Sequence, residues 1–340
     1  MNNYFNSTKI LFLFLMMIST IFSISSLSMI NIWMGMEVNL ISFIPIMINK
    51  NNNFSSESMM SYFLIQSISS ANFLFSSLLI ISVMKWFNNV TPIKSMFIIF
   101  MMNISLLMKL GAAPFHFWFP KTMKGLNWMN CFILSTWQKI LPMITLSYCF
   151  ISKLLMLIAS ISVIIGSIMG LMQTSLQMIM TYSSISHIGW MLMSLMLKLN
   201  VWGIYLIVYS FINYILMSLF KIMNMYTINQ MYSNKNSNLI KYFIMFNLLS
   251  LSGLPPFLGF LPKWLVINLM INNNLILITF ILIMMSLINM YFYIRIIYTY
   301  FMLNFFENKF YSTQFNQINL ILIFTFMSIM GLMMIPMMIN

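Results

Sequence analysis

The sequence predicts an all-α integral membrane protein of about eleven transmembrane helices, with inverted repeats and two broken helices. Three observations predict it. Of 340 residues, 61% are hydrophobic and only 6% are charged, where soluble domains carry about a quarter charged residues. The apolar residues fall in runs that approach or exceed the ~20 residues needed to cross a bilayer. Two of those runs are interrupted by the same Gly/Pro pattern. In water this length would suit two domains; a single transmembrane domain over 1–340 is the expectation here.

In order, the expected crossings are 8–28, 29–48, 58–84, 95–119, 127–150, 154–172, 174–197, 200–224, 240–271, 275–302 and 318–338. The polar breaks are short, as at 49–53 and 229–238. An odd number of crossings puts the termini on opposite sides. Loops on the amino-terminal side then hold Lys9, Lys50, Lys121, Lys124, Lys221, Lys235, Lys241 and Lys309, with Arg295 near that face. The other side holds Lys85, Lys94, Lys153 and Lys198. The excess of positive charge places the amino terminus in the matrix or cytoplasm. The amino terminus lacks the Arg-rich amphipathic pattern of an import peptide.

A net charge of +13 does not indicate nucleic acid, because the lysines are scattered between apolar runs rather than gathered on one face. The expected surroundings are membrane lipids. With three Glu and no Asp, an EF-hand, a two-carboxylate glycosidase and a Walker-type nucleotide site are excluded. Cys131 and Cys149 would lie roughly 27 Å apart on one helix, too far for a disulfide. Two cysteines are too few for a Cys-ligated iron–sulfur cluster, and no GxGxxG is present. The 41 Met residues, with abundant Ile, Asn, Phe and Tyr, match A/T-rich codons where ATA encodes Met, as in many animal mitochondria.

The interruptions read Gly-Ala-Ala-Pro-Phe-His-Phe-Trp-Phe-Pro-Lys at 111–121 and Gly-Leu-Pro-Pro-Phe-Leu-Gly-Phe-Leu-Pro-Lys at 253–263. Both fit G-x-x-P-F-x-x-x-x-P-K. Proline removes a backbone donor and crowds the preceding turn, so each site should break its helix. Broken backbone at membrane depth is tolerated only inside protein or beside a water-filled cavity. Five crossings separate the copies, as in inverted repeats whose broken helices mark an ion path.

Charged groups at mid-membrane cost about 2.5–3.5 kcal/mol each and usually face an interior pathway. Glu37, Lys109, Lys139 and Lys263 are the candidates. A lysine held between desolvation and a nearby carboxylate can take up and release a proton. A fixed structural pair between Glu37 and a lysine is the alternative. Lys121 aligns with Lys263, yet a polar exit comes after it, so Lys121 is expected at the interface and Lys263 within the apolar layer. His187, among serines, is a candidate relay, since histidine titrates near neutrality. His116 is expected to donate to a neighbouring carbonyl.

The runs Met34-Gly-Met-Glu-Val-Asn39, Lys109-Leu-Gly-Ala-Ala-Pro-Phe-His-Phe-Trp-Phe-Pro120, Thr136-Trp-Gln-Lys-Ile-Leu-Pro142, Ser183-Ser-Ile-Ser-His-Ile-Gly-Trp190 and Leu251–Trp264 together resemble the antiporter-like membrane-arm subunits of mitochondrial respiratory complex I. The resemblance runs in order through nearly the whole chain. It implies a proton route through Glu37, Lys109, Lys139 and Lys263, driven by redox chemistry elsewhere in the complex. It also implies the other membrane-arm and accessory subunits as partners. No cofactor is then expected on this chain: NADH, flavin, the iron–sulfur clusters and ubiquinone belong to partner subunits. The implied location is the inner membrane, with the amino terminus on the matrix side. Leu141 departs from the Ala common in this family, which bears on local packing alone. A structural scaffold and a stand-alone cation/proton antiporter are the competing readings.

Overall fold

A computed structural model describes residues 7–48, 54–86, 92–233 and 238–302, together with Thr325 and Ser328. Among these residues the chain is helical, with no strand and one isolated bridge between Ser175 and Thr227. It divides into two compact units, Met1–Leu155 and Met156–Asn340.

The first unit holds α1 (Ser7–Ser25), α2 (Met29–Met47), α3 (Phe54–Trp86), α4 (Pro92–Leu110), α5 (Trp118–Lys124), α6 (Trp128–Ser135) and α7 (Trp137–Tyr148). Ser28 caps α2 by accepting the Asn31 amide at 3.3 Å, which separates the first two crossings. Hydroxyls inside these apolar helices are satisfied locally. Ser19, Thr20 and Ser23 of α1 donate to carbonyls three residues back at 2.9, 2.7 and 2.8 Å. Small side chains satisfied in this way let helices approach closely in lipid, and Gly35 of α2 lies directly against Ser23.

Hydrogen bonds between helix ends show the alternation of direction. Lys9 at the start of α1 donates to Ile48 O, just past the end of α2, at 3.0 Å. Asn130 at the start of α6 donates to Ile46 O at 2.9 Å. At the opposite end, Asn103 of α4 donates to Cys149 O, just past α7, at 2.8 Å. Both cysteines are free thiols.

The second unit contains most of α8 (Ser152–Leu171), then α9 (Leu176–Leu197), α10 (Leu199–Ile222), α11 (Ile228–Ser233), α12 (Asn238–Ser252), α13 (Phe260–Asn272) and α14 (Ile276–Met302). The loops after α8 and α10 pair with each other, Leu176 N to Tyr226 O at 2.9 Å and Ile228 N to Thr174 O at 3.2 Å. Arg295, the single arginine, donates to Leu171 O at 2.6 Å and to Gln173 O at 2.8 Å. A cation at a helix carbonyl end is favoured by the helix dipole. Arg295 therefore lies at the end of the second unit that carries the loop after α8.

Ten expected crossings coincide with helical stretches. Among the described residues six helices are long and apolar enough to cross a membrane: Ser7–Ser25, Met29–Met47, Phe54–Ser82, Ser152–Leu171, Leu199–Ile222 and Ile276–Thr299. Their outward side chains are apolar, as with Phe14, Ile21, Leu277 and Phe280, which suits contact with lipid. The expected crossings 95–119 and 240–271 are each cut by a break, leaving the shorter apolar helices Met96–Leu110, Ile240–Ser252 and Phe260–Asn272. The crossing expected at 127–150 is also two helices, interrupted at Thr136 (φ −121°, ψ −67°). The last expected crossing, 318–338, lies outside the described residues apart from Thr325 and Ser328, as do Lys50, Lys235 and Lys309.

α9 departs from the apolar pattern. Eighteen of its 22 residues are buried, including Gln177, Thr181, Ser183, Ser184, Ser186 and His187. It is enclosed by protein, so its polar side chains find partners there instead of meeting lipid.

Cysteines substituted at Met172 and Tyr226, both exposed in the paired loops, are expected to react with an impermeant thiol reagent from the same side of the membrane. A cysteine at the exposed Lys198, between α9 and α10, should react only from the other side.

Candidate functional site

The first break begins at Gly111, whose φ of +70° lies in the left-handed region that glycine adopts readily. Gly111 N bonds Met108 O at 3.1 Å and Ala112 N bonds Leu107 O at 3.2 Å; this pair of bonds is a Schellman ending. Two side chains serve the last carbonyls of α4. Trp118 Nε1 donates to Met108 O at 3.1 Å, and Gln66 Nε2 of α3 donates to Lys109 O at 3.2 Å. His116 Nδ1 lies 3.2 Å from Pro114 O, a neighbouring carbonyl of the kind the sequence leads one to expect.

With its carbonyl served by Gln66, Lys109 extends a buried side chain towards α2, where its amine lies 3.4 Å from Met36 Sδ. Glu37 comes after Met36 and is half-buried. Lys139 is 2% exposed and sits in the first turn of α7, just after the Thr136 interruption. Its amine is 5.7 Å from the centroid of the Phe119 ring. Both lysines line one cavity of about 20 Å³, counted as space open to the centre of a water, beside Asn39, Tyr62, Gln66 and Gln138. One water needs ~10–15 Å³ by that measure and two to four polar partners, so the cavity can hold a water between polar groups. Gln138 Nε2 donates to Asn39 Oδ1 at 3.1 Å, tying α7 to α2. Leu141 is buried and completes the wall.

The second break is built differently. Gly253 has φ +82° and bonds Ser250 O at 3.1 Å. The last carbonyls of α12 are served by a side-chain amine: Lys263, in the first turn of α13, donates to Ser252 O at 2.6 Å and Leu251 O at 3.4 Å. Lys263 is 6% exposed, and its amine lies 6.0 Å from the centroid of the Trp190 ring. Lys121, its counterpart in the repeat, is exposed.

His187 of α9 is also buried, with Nδ1 2.8 Å from the Tyr205 hydroxyl and its ring 4.9 Å from that of Tyr209. These three residues share a small cavity with Ser250, Leu251 and Pro262 at the second break. The structure thus brings Lys109 and Lys139 to one cavity in the first unit, with Glu37 next in sequence to the Met36 on its wall but not itself on the lining, and Lys263 and His187 around one break in the second. Gln66, Trp118, Tyr205 and Tyr209 do not stand out in the sequence as site residues. Gln66 has one local signal, as the lone amide in the stretch Phe63–Ser70, where serines supply the other polar positions; the tyrosines have none. Among the described residues no group of three His, Cys, Asp or Glu side chains converges on a possible metal position.

A multi-pass helical membrane protein, with buried lysines gathered at broken helices, is the class that this fold and site define. The family model described as NADH:quinone oxidoreductase/Mrp antiporter, TM, matches residues 26–289. The NADH-ubiquinone oxidoreductase chain 2 of Anopheles gambiae is 45% identical over 333 residues, covering 96% of each chain. That of Locusta migratoria is 44% identical over 299 residues, covering 87% of this chain and 86% of the relative. Among solved structures, a chain of respiratory complex I from Thermus thermophilus shares the fold with a TM-score of 0.85 at 18% identity, over 97% of this chain and 80% of that one. The chain belongs to this transmembrane family, in its NADH-ubiquinone oxidoreductase chain 2 branch.

Two substitutions test how the breaks are held. Gln66→Leu leaves the Lys109 carbonyl without its side-chain partner and is expected to cost about 1–3 kcal/mol. Gly253→Ala forces an L side chain into the left-handed region, at about 1–2 kcal/mol, and presses its Cβ on Lys263 Cδ. Both should lower the thermal stability of the assembled protein. Gly203→Ala, whose Cβ meets nothing within 4 Å, should leave it unchanged or raised.

Proposed function

We propose that this chain is a membrane-arm subunit of a proton-pumping NADH:ubiquinone oxidoreductase in the mitochondrial inner membrane, and that Glu37, Lys109, Lys139, His187 and Lys263 carry its proton route. The observation that carries the reading is the pairing of Lys109 and Lys139 on one polar cavity beside a broken helix. An amine in such a cavity can pass a proton to a water and accept one from another. Glu37, next in α2 to the Met36 that the Lys109 amine touches, is the carboxylate nearest in sequence to that contact and modulates the lysine by pairing and unpairing. In the second unit, Lys263 holds its proton against two carbonyls, and His187 with Tyr205 offers a donor–acceptor pair beside the same break.

Electron transfer belongs to the partner subunits in this reading, which also hold NADH, flavin, the iron–sulfur clusters and ubiquinone. The amino terminus faces the matrix, in keeping with the lysine excess on that side. The work is considerable, since each charge moved against 100 mV requires about 2.3 kcal/mol. A route that leaks or blocks would waste it.

The test is substitution in the assembled complex, with complex content measured beside activity. Lys109→Ala, Glu37→Gln and Lys263→Ala should each depress proton translocation and coupled quinone reduction about tenfold or more, the scale of losing a positioned proton carrier. Lys121→Ala, at an exposed position, should have little effect. Normal assembly with full pumping in the first three variants would favour a scaffold with fixed buried charges. A purified chain that exchanges cations in liposomes without redox partners would favour a stand-alone antiporter.

A further inference from the structure

Polar side chains in the second unit continue away from His187 along the seam between α9 and α14. Asn289 of α14 donates through Nδ2 to Ser186 Oγ at 2.9 Å. One turn on, the hydroxyl of Tyr293, 1% exposed, meets no hydrogen-bond partner among the described residues. Two residues further, Arg295 reaches the loop carbonyls of Leu171 and Gln173. The two helices run antiparallel here, so these contacts descend in order from the level of His187 to the loop end. Ser186 and Ser183 donate their own hydroxyl protons to Ser183 O and Met180 O at 2.7 and 2.8 Å. The Ser186 oxygen accepts from Asn289 of α14 at the same time.

Serine and asparagine between membrane helices commonly act as glue. Glue satisfies its members, and this seam does not. Asn289 is 4% exposed, yet its Oδ1 finds no hydrogen-bond partner among the described residues. A buried amide oxygen left unmet in this way is costly, and a water donating to it removes the cost.

We propose that the α9–α14 seam is a hydrated proton path joining His187 to the loop end of the second unit that Arg295 marks, with Asn289 and Tyr293 as the groups that hold its water. This rests on the proton-route reading and adds a branch to it. Nothing is oxidised or reduced along it: each hydroxyl or water accepts a proton on one side and releases one on the other, and Asn289 orients the water without itself changing protonation.

Two measurements on the intact complex test the seam. A structure that resolves ordered waters should show one within hydrogen-bonding distance of Asn289 Oδ1; a dry carboxamide overturns the proposal, whatever the variants do. Asn289→Leu, close in shape, should lower proton translocation about tenfold at normal complex content, with Tyr293→Phe lowering it less and Asn289→Ser restoring part. Full pumping by Asn289→Leu also overturns it. If Lys263→Ala still blocks pumping in that case, only the seam fails; if Lys263→Ala also pumps fully, the proton-route reading fails with it.

Discussion

The constraint on which the rest depends is that a broken helix within hydrocarbon must have its freed carbonyls satisfied by protein. The two breaks meet it by different means. At the first, Trp118 and Gln66 donate to the Met108 and Lys109 carbonyls, and the Lys109 amine is left to the cavity. At the second, the lysine itself serves the carbonyls of Leu251 and Ser252. Backbone and charge are separate concerns at the first break and a single one at the second. The Lys263 amine is therefore also what finishes α12.

Much of this is legible in the sequence. The shared G-x-x-P-F-x-x-x-x-P-K pattern locates both breaks, because glycine and proline act on their own backbone and need no distant partner. The fates of Lys121 and Lys263 are readable from the residues on their carboxyl side, Thr122-Met-Lys-Gly against Trp264-Leu-Val-Ile. The interruption at Thr136 has no such marker. Pro142 lies six residues further on, and the Thr136 hydroxyl bonds Phe132 O at 2.7 Å, so the apolar run shows no gap. Gln66 and Tyr205 escape a sequence reading for another reason: each matters through a contact with a residue remote in sequence, 43 and 18 positions away. Local pattern does not carry such pairings.

Membership of the chain 2 family and the geometry of the cavities bear on different questions. The first rests on identity along nearly the whole chain. The second concerns which side chains face one another. Lys109 and Lys139 line one cavity although 30 residues separate them, because α4 ends and α7 begins near the same depth of the first unit, and Asn39 with Gln138 fastens α2 to α7 there. The lysines are held by helix ends, where side chains project along freed backbone instead of across an intact turn.

α9 has a consequence for how the protein is made. It carries glutamine, threonine, serines and histidine along 22 residues and is absent from the six helices, among the described residues, that are apolar enough to cross a membrane by composition. Partition of such a segment from the insertion machinery into bare lipid is weakly favoured at best, since its polar residues offset its leucines and methionines. Its neighbours supply what lipid does not: the Gly189 backbone lies against α8, Tyr205 of α10 meets His187, and Asn289 of α14 meets Ser186. The expected consequence is that α9 waits at the insertion machinery for α10, and ultimately α14, and enters the bilayer with them as part of a group.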